Sequence, residues 1–400
     1  MPQLTVVGVS GTQVDVSVKT SLAASVAGQL LNLITNQVNN GNLTPYAYDG
    51  IGPLGAPSGP GYLVVTGPGA ASLPANTAAV VDVAHGNSLL FGGEAASQIV
   101  VSDAHLTYFA NRGAGTVVAG GGGSTLVTDL AGGGDHLFVA EGGRNRILAF
   151  SGNDTVAAGP GHNSILLGSG NDLVLVTGHD SILAGSGADT VQVLGGNAVV
   201  QGGTGPLVFA NGDAASTVFG HQGSVTVTGG NGGGVYYGGT AGNNLLIGGL
   251  AATTLFGGGN NDLLVGESGV RDLLVAGRGN ETLIGMGSGD TTLVGGSGAD
   301  SMQGGFGRNT FVAGGGGGTM AGGVAGNLYE FLDDRSHGHF VVTDFVQGMD
   351  RIKLAGTDGR EVNRILAHQV DAGGNVTLTL DDHTTVTFQN VTHLDRSSFS

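Results

Sequence analysis

The sequence predicts an all-β fold: a solenoid of stacked short strands with a small α+β unit at its N-terminal end and a β-rich unit at its C-terminal end. Three observations predict it. Between about Asn87 and Asn327, a glycine-rich turn, an Asp or Asn and a short aliphatic run recur about every nine residues. Residues two and four after each polar marker are mostly aliphatic, as in Leu137 and Val139, Ile165 and Leu167, Val174 and Val176, which is the period of a strand with one buried face. Glycine fills 81 of 400 positions, too many for helix, where each interior glycine costs about 1 kcal/mol relative to alanine. A unit this short cannot bury its own apolar face and must stack on its neighbours.

Residues 1–84 form the first unit. Alternating stretches at Leu4–Val9 and Val14–Val18 precede Ser21–Val38, where Leu22, Val26, Leu30, Leu31 and Ile34 fall at helical spacing, the one helix the sequence predicts. A turn-rich stretch follows at 41–61, then strands at Tyr62–Thr66 and Ala79–Val83 that read as irregular first coils. The unit is expected to cap the first rung, or to dock onto the C-terminal end of another copy.

Residues 85–328 carry the repeats. The clearest copies are GGGDHLFV (132–139), GSGNDLVLV (168–176), GSGADTVQV (185–193), NNDLLVG (260–266) and GGSGADSMQG (295–304). The markers run Asp135, Asn145, Asp154, Asn163, Asp172, Asp180, Asp189, Asn197, and resume at Asn244, Thr253, Asp262, Asp272, Glu281, Thr291, Asp300, Asn309 and Asn327. Two phrases make one coil of about eighteen residues, so alternate markers stack on opposite edges. One edge collects Asp135, Asp154, Asp172, Asp189, Asp262, Glu281 and Asp300, with Asn244 among them. The other collects Asn145, Asn163, Asp180, Asn197, Thr253, Asp272, Thr291, Asn309 and Asn327. The first edge is mainly acidic, the second mainly amide or hydroxyl.

These phrases resemble the Gly-Gly-x-Gly-x-Asp nonapeptides of RTX proteins. Gly295, Gly296, Gly298 and Asp300 match the full motif, and the copies at Gly168, Gly170, Asp172 and Gly185, Gly187, Asp189 lack one leading glycine. The resemblance implies a parallel β-roll or β-helix, here of about thirteen to fifteen coils, and calcium held between coils by carboxylates and turn carbonyls. Carried onto this chain, the expected ligands are Asp135, Asp154, Asp172, Asp189, Asp262, Asp300, Asp180 and Asp272. Asn163, Asn197, Asn244, Thr253 and Asn309 stand where the family has Asp, and a neutral amide is a poorer ligand for a cation that takes six to eight oxygens. The alternative for the Asn positions is a hydrogen-bonded ladder along the stack. A calcium column on one edge is the expectation.

Residues 329–400 change character, with less glycine and ordinary strand alternation. Asp344, Phe345, Gly348, Asp350 and Ile352 resemble the segment that closes the roll in RTX proteases. The hairpin Val376–Leu380 and Thr385–Phe388 resembles the strands that carry their type I secretion signal. A solenoid needs such an end, since an open last coil invites uncontrolled strand pairing.

Composition narrows the function classes. With 13 basic against 30 acidic residues the formal charge is −17, and lysine occurs only as Lys19 and Lys353. That balance argues against nucleic acid, which needs clustered Lys and Arg, and suits neutralisation by divalent cations outside the cell, where weak calcium sites fill. No cysteine is present, so no disulfide staples the fold. The opening residues lack a basic stretch followed by an apolar one, so an N-terminal secretory signal is not expected, and no apolar run is long enough to span a membrane.

Catalytic motifs are missing: there is no His-Glu-x-x-His and no Gly-x-Ser-x-Gly, and His105, His136, His162, His179 and His221 read as surface residues. The sequence therefore predicts a secreted, non-enzymatic structural protein of a surface layer, biofilm matrix or filament. Its partners would be further copies of itself and a cell-surface or matrix polysaccharide. The rival readings are a secreted polysaccharide lyase or epimerase and an adhesin.

Overall fold

The computed structural model describes residues 3–17, 21–93, 97–110, 112–120, 123–127, 133–332 and 338–400. Lys19 and Gly132, which belongs to the first quoted repeat, lie outside them. The chain is a parallel β-solenoid of about 16 turns and divides into two compact units, Met1–Val200 and Gln201–Ser400.

In Met1–Val200 an antiparallel hairpin, Gln3–Val7 with Gln13–Ser17, leads into the helix Ser21–Asn39. The parallel ladder begins at Thr44–Tyr48, which pairs with Gly61–Val65, then Thr77–Asp82, Ser97–Ser102, Ala114–Ala119 and His136–Ala140. The other sheet starts at Gly69–Ser72 and continues through Asn87–Phe91, His105–Phe109, Thr125–Val127 and Arg146–Ser151. Coils therefore occupy about half of the stretch that the sequence assigns to the N-terminal unit. The helix does not sit over the first rung. Its Ala23, Ala27, Leu31 and Ile34 pack with Val6 and Val16 against Tyr62, Val64, Ala79, Val81, Val101 and Val118, on the outer face of the first sheet. Strands covered on both faces read as continuous apolar runs, and all five residues of Gly61–Val65 are buried.

Gln201–Ser400 is also built of two-sheet coils in parallel register, for example Leu245–Ile247 with Leu263–Gly266 and Thr282–Gly285, and Thr253–Phe256 with Leu273–Val275 and Thr292–Val294. Alternate residues point inward, so Leu246, Leu264, Leu283, Leu255, Leu274, Leu293, Met302 and Phe311 are buried and form the core. Closely stacked turns require glycine. A Cβ on Gly298, for example, would lie 1.8 Å from the carbonyl oxygen of Gly279 one coil back.

A hairpin covers the C-terminal end of one sheet. Asn375–Thr379 pairs antiparallel with Thr385–Phe388, which itself pairs parallel with His339–Val342 and so covers the last strand of that sheet. On the other sheet, Phe399 bridges to Ile352 and the Ser400 N–H donates to the Ile352 carbonyl at 2.9 Å. One element corrects the sequence reading: Gly359–Ala367 is a second helix, capped by Asp358, whose side chain accepts the N–H groups of Arg360 and Glu361. It buries Val362 and Ile365; the helical spacing of Val362, Ile365 and Leu366 behind the Asp358 cap was the signal that could have found it.

Candidate metal centre

The parallel register decides which markers meet. In Met1–Val200, Leu137, Thr155, Leu173 and Thr190 are successive partners, so the residues before them, His136, Asp154, Asp172 and Asp189, form one column at a coil edge. All four are buried. Each Asp side chain accepts the backbone N–H of the column residue one coil earlier: the His136 N–H donates to Asp154 Oδ1 at 2.8 Å, that of Asp154 to Asp172 Oδ1 at 2.7 Å, and that of Asp172 to Asp189 Oδ1 at 3.2 Å. Asp189 Oδ2 accepts the Gly185 N–H at 2.9 Å. The carboxylates thus do the work of a ladder between turns whose own backbone cannot supply the partners.

Asp135 stands one residue outside this column. It is exposed, and its Oδ1 accepts the Asn153 N–H at 2.7 Å, starting an outer row that continues through Asn153 and Asn171. The inner place belongs to His136, which the sequence reading put on the surface. Its ring is buried with both nitrogens unpartnered, the nearer one 3.4 Å from Asp154 Oδ1.

On the opposite edge, the Asn145 N–H and side-chain amide donate to Asn163 Oδ1, and those of Asn163 donate to Asp180 Oδ1 at 2.8 and 2.7 Å. Asp180 Oδ2 accepts the Gly178 N–H at 3.2 Å. Asn197 is exposed, and Ala198 takes the inward position.

The same division holds in Gln201–Ser400. One column runs Asn244, Asp262, Glu281, Asp300: Asn244 donates its N–H and amide to Asp262 Oδ1, both at 2.8 Å, and Glu281 donates its N–H to Asp300 Oδ1 at 3.0 Å. The second runs Thr253, Asp272, Thr291, Asn309, Asn327 and on to Asp350 of the closing segment, whose Oδ1 accepts the Asn327 N–H at 2.7 Å. Asp272 is fully satisfied there, by the Thr253 N–H on one oxygen and by Ser268 on the other.

Unpartnered oxygens separate the two edges. Asp154 Oδ2, Asp172 Oδ2 and both carboxyl oxygens of Glu281 are buried without a hydrogen-bond donor, and no marker of the amide edges leaves a carboxylate oxygen in that state among the described residues. The electrostatics follow. Burial, reinforced by Asp189, Asp154 and Asp135, pushes Asp172 up to about 7, and burial followed by adjacent Asp300 pushes Glu281 up to about 8. Burial also raises Asp189 and Asp300, and on the amide edges Asp180 and Asp350, so the two large shifts and not the direction distinguish the acidic edges. A buried carboxylate that lacks a donor must be neutralised, by a proton or by a cation.

This donor set fits a hard cation such as calcium, in a particular way. The carboxylates are strung one per coil, and among the described residues no three His, Asp or Glu side chains cluster to hold a metal ion. Most oxygens would therefore come from turn carbonyls and water. On the acidic edges the residues with oxygens free to hold calcium are Asp154, Asp172 and Glu281. Asp189, Asp262 and Asp300 extend the same columns but, like Asp180 and Asp272, already give both oxygens to protein donors.

The family comparison agrees with this geometry. A model of the RTX calcium-binding nonapeptide repeat matches four segments, 139–174, 176–205, 238–270 and 287–320. These four segments of the solenoid are RTX repeats. The matched segments contain Asp154, Asp172, Asp189, Asp262 and Asp300 of the acidic columns, while Glu281 falls between two of them. RTX repeat proteins are calcium-binding and typically secreted, and no helix among the described residues is long and apolar enough to cross a membrane. No curated relative matches the chain. Glu281 is the residue the list of expected ligands omitted. Its place in the marker series and its acidity were the signals that could have found it.

Proposed function

We propose that this chain is a secreted, non-enzymatic structural protein, a calcium-stabilised RTX solenoid that assembles into a surface layer, matrix or filament. The observation that carries the assembly is an apolar stripe on the outside of Gln201–Ser400. Phe219, Tyr237, Phe256, Val275, Val294 and Val312 stand in register on successive coils. Their side chains alternate with the buried core and face outward, Phe219 being 45% exposed and the other five half-buried. The rings of Phe219, Tyr237 and Phe256 stack at 5.1 and 4.5 Å. A continuous apolar stripe on a repetitive surface favours lateral packing.

Calcium supports this reading through the acidic columns. Bound there, it supplies the positive charge that otherwise has to come from protons on Asp172 and Glu281. The chain's own residues do the rest: the Oδ1 ladder sets coil spacing, and Asp154, Asp172 and Glu281 keep buried oxygens without a donor. Outside a cell, millimolar calcium fills such sites, coupling ion binding to folding.

Electron microscopy of the purified full chain, with calcium and with chelator, tests the proposal. Ordered polymers that form only with calcium support it. Monodisperse monomers under both conditions would overturn it.

A further inference from the structure

We propose that a cationic strip on Met1–Val200 binds a linear acidic polysaccharide, a chain of carboxylated hexoses laid along successive coils. The strip lies at the amide edge, in two adjacent rows. Arg146, Ser164 and Ser181 are in register at the starts of three strands. The residues two positions earlier, Arg144, His162 and His179, form the second row, which Asn197 extends. All seven are exposed, and with Asn163, Asp180 and Val199 most of them line an open groove of about 540 Å³.

Charge carries the argument. Met1–Val200 contains only four Lys or Arg residues, Lys19, Arg112, Arg144 and Arg146, and two of them stand on one coil two residues apart. In a chain of net charge −17, neither Arg144 nor Arg146 is used in an ion pair among the described residues. The one carboxylate in the groove, Asp180, is buried and already accepts three N–H groups. Two free guanidinium forks suit carboxylates. Below them the strip turns neutral and polar, as a sugar chain requires. The hydroxyls of Ser164 and Ser181 donate and accept, the rings of His162 and His179 stack at 5.3 Å, and Asn197 bonds to Nδ1 of His179. Coils about 4.8 Å apart repeat these groups at nearly the advance of one pyranose ring, so a linear glycan stays in register over the strip. The site shares no residue with the acidic columns or the outer apolar stripe. Failure of assembly leaves it standing, and its own failure leaves the assembly proposal standing.

The test uses the full chain in calcium and measures binding of short oligogalacturonates by calorimetry, with dextran oligomers and a single-stranded oligonucleotide of equal charge as comparisons. The expected result is binding of the oligogalacturonate alone, weakened by salt. Affinity should fall at least about tenfold in R144A/R146A and by less in H162A/H179A, with unchanged circular dichroism for these exposed substitutions. Wild-type affinity in R144A/R146A, equal binding of dextran, or equal binding of the oligonucleotide would overturn the proposal.

Discussion

The backbone N–H of Asp154 donates to Oδ1 of Asp172 at 2.7 Å, one coil further along, while Oδ2 of Asp172 is buried with no donor at all. One carboxylate therefore holds two coils together and carries an unneutralised oxygen. Substitutions separate these roles. D172N keeps an acceptor and removes the charge, so the metal-free protein should be as stable as wild type or more so, with a smaller gain from calcium. D172A removes the acceptor and should cost about 1–3 kcal/mol with or without calcium. Denaturant unfolding of both variants, in calcium and in chelator, checks this.

The metal-free chain should lose stability as pH rises. Asp172 and Glu281 sit near 7 and 8 in the folded protein against about 4 when unfolded. A raised group binds its proton more tightly when folded, so its contribution is complete below about pH 4 and is lost as pH climbs through 7 to 8. Calcium competes with those protons and should flatten or reverse the trend. Thermal midpoints in chelator at pH 5 and 8.5 provide the measurement, and a higher midpoint at pH 8.5 would contradict the assignment.

On the amide edge, N163A removes the acceptor for the Asn145 N–H and side-chain amide, costing about 1–3 kcal/mol. The calcium-induced gain should stay at the wild-type value, because this edge leaves no free carboxylate oxygen. Paired melts with and without calcium read both quantities.

Turn stacking predicts a larger loss. Gly187 would place a Cβ 1.4 Å from the Gly170 carbonyl oxygen, so G187A must push two coils apart and should cost more than about 3 kcal/mol. Stability close to wild type would show that the turns are not packed as described.

Assembly and folding should come apart in F256S/V294S. Both residues are half-buried on the apolar stripe and Phe256 stacks on Tyr237, so the monomer should lose about 1–3 kcal/mol but stay folded in calcium, while calcium-dependent polymers fail to form in micrographs.

Much of this was legible in the sequence because coil length is nearly constant. Steps of 17 to 19 residues put alternate markers in register, so Asp154, Asp172 and Asp189 could be sorted from Asn145 and Asn163 by counting. Counting failed where the turn itself shifts by a residue. At Gly134-Asp135-His136 the histidine takes the inner place, and at Asn197-Ala198 the alanine does. The first coils were obscured for another reason: the helix covers strands such as Gly61–Val65, whose apolar run then lacks alternation, and they carry no Gly-x-Asp turn. Nor does a sequence show which carboxylate oxygens find donors. Asp180 and Asp154 read alike, and only their donors, Gly178 of its own turn and Asn163 of the adjacent coil for one and none for the second oxygen of the other, make them different.

The central claim, that calcium belongs to the acidic edge alone, is tested most directly by counting bound calcium calorimetrically in wild type, in D154N/D172N/E281Q and in D180N/D272N. The predicted result is a lower stoichiometry in the first variant and wild-type stoichiometry in the second. Equal losses in both, or wild-type binding by D154N/D172N/E281Q, would contradict it.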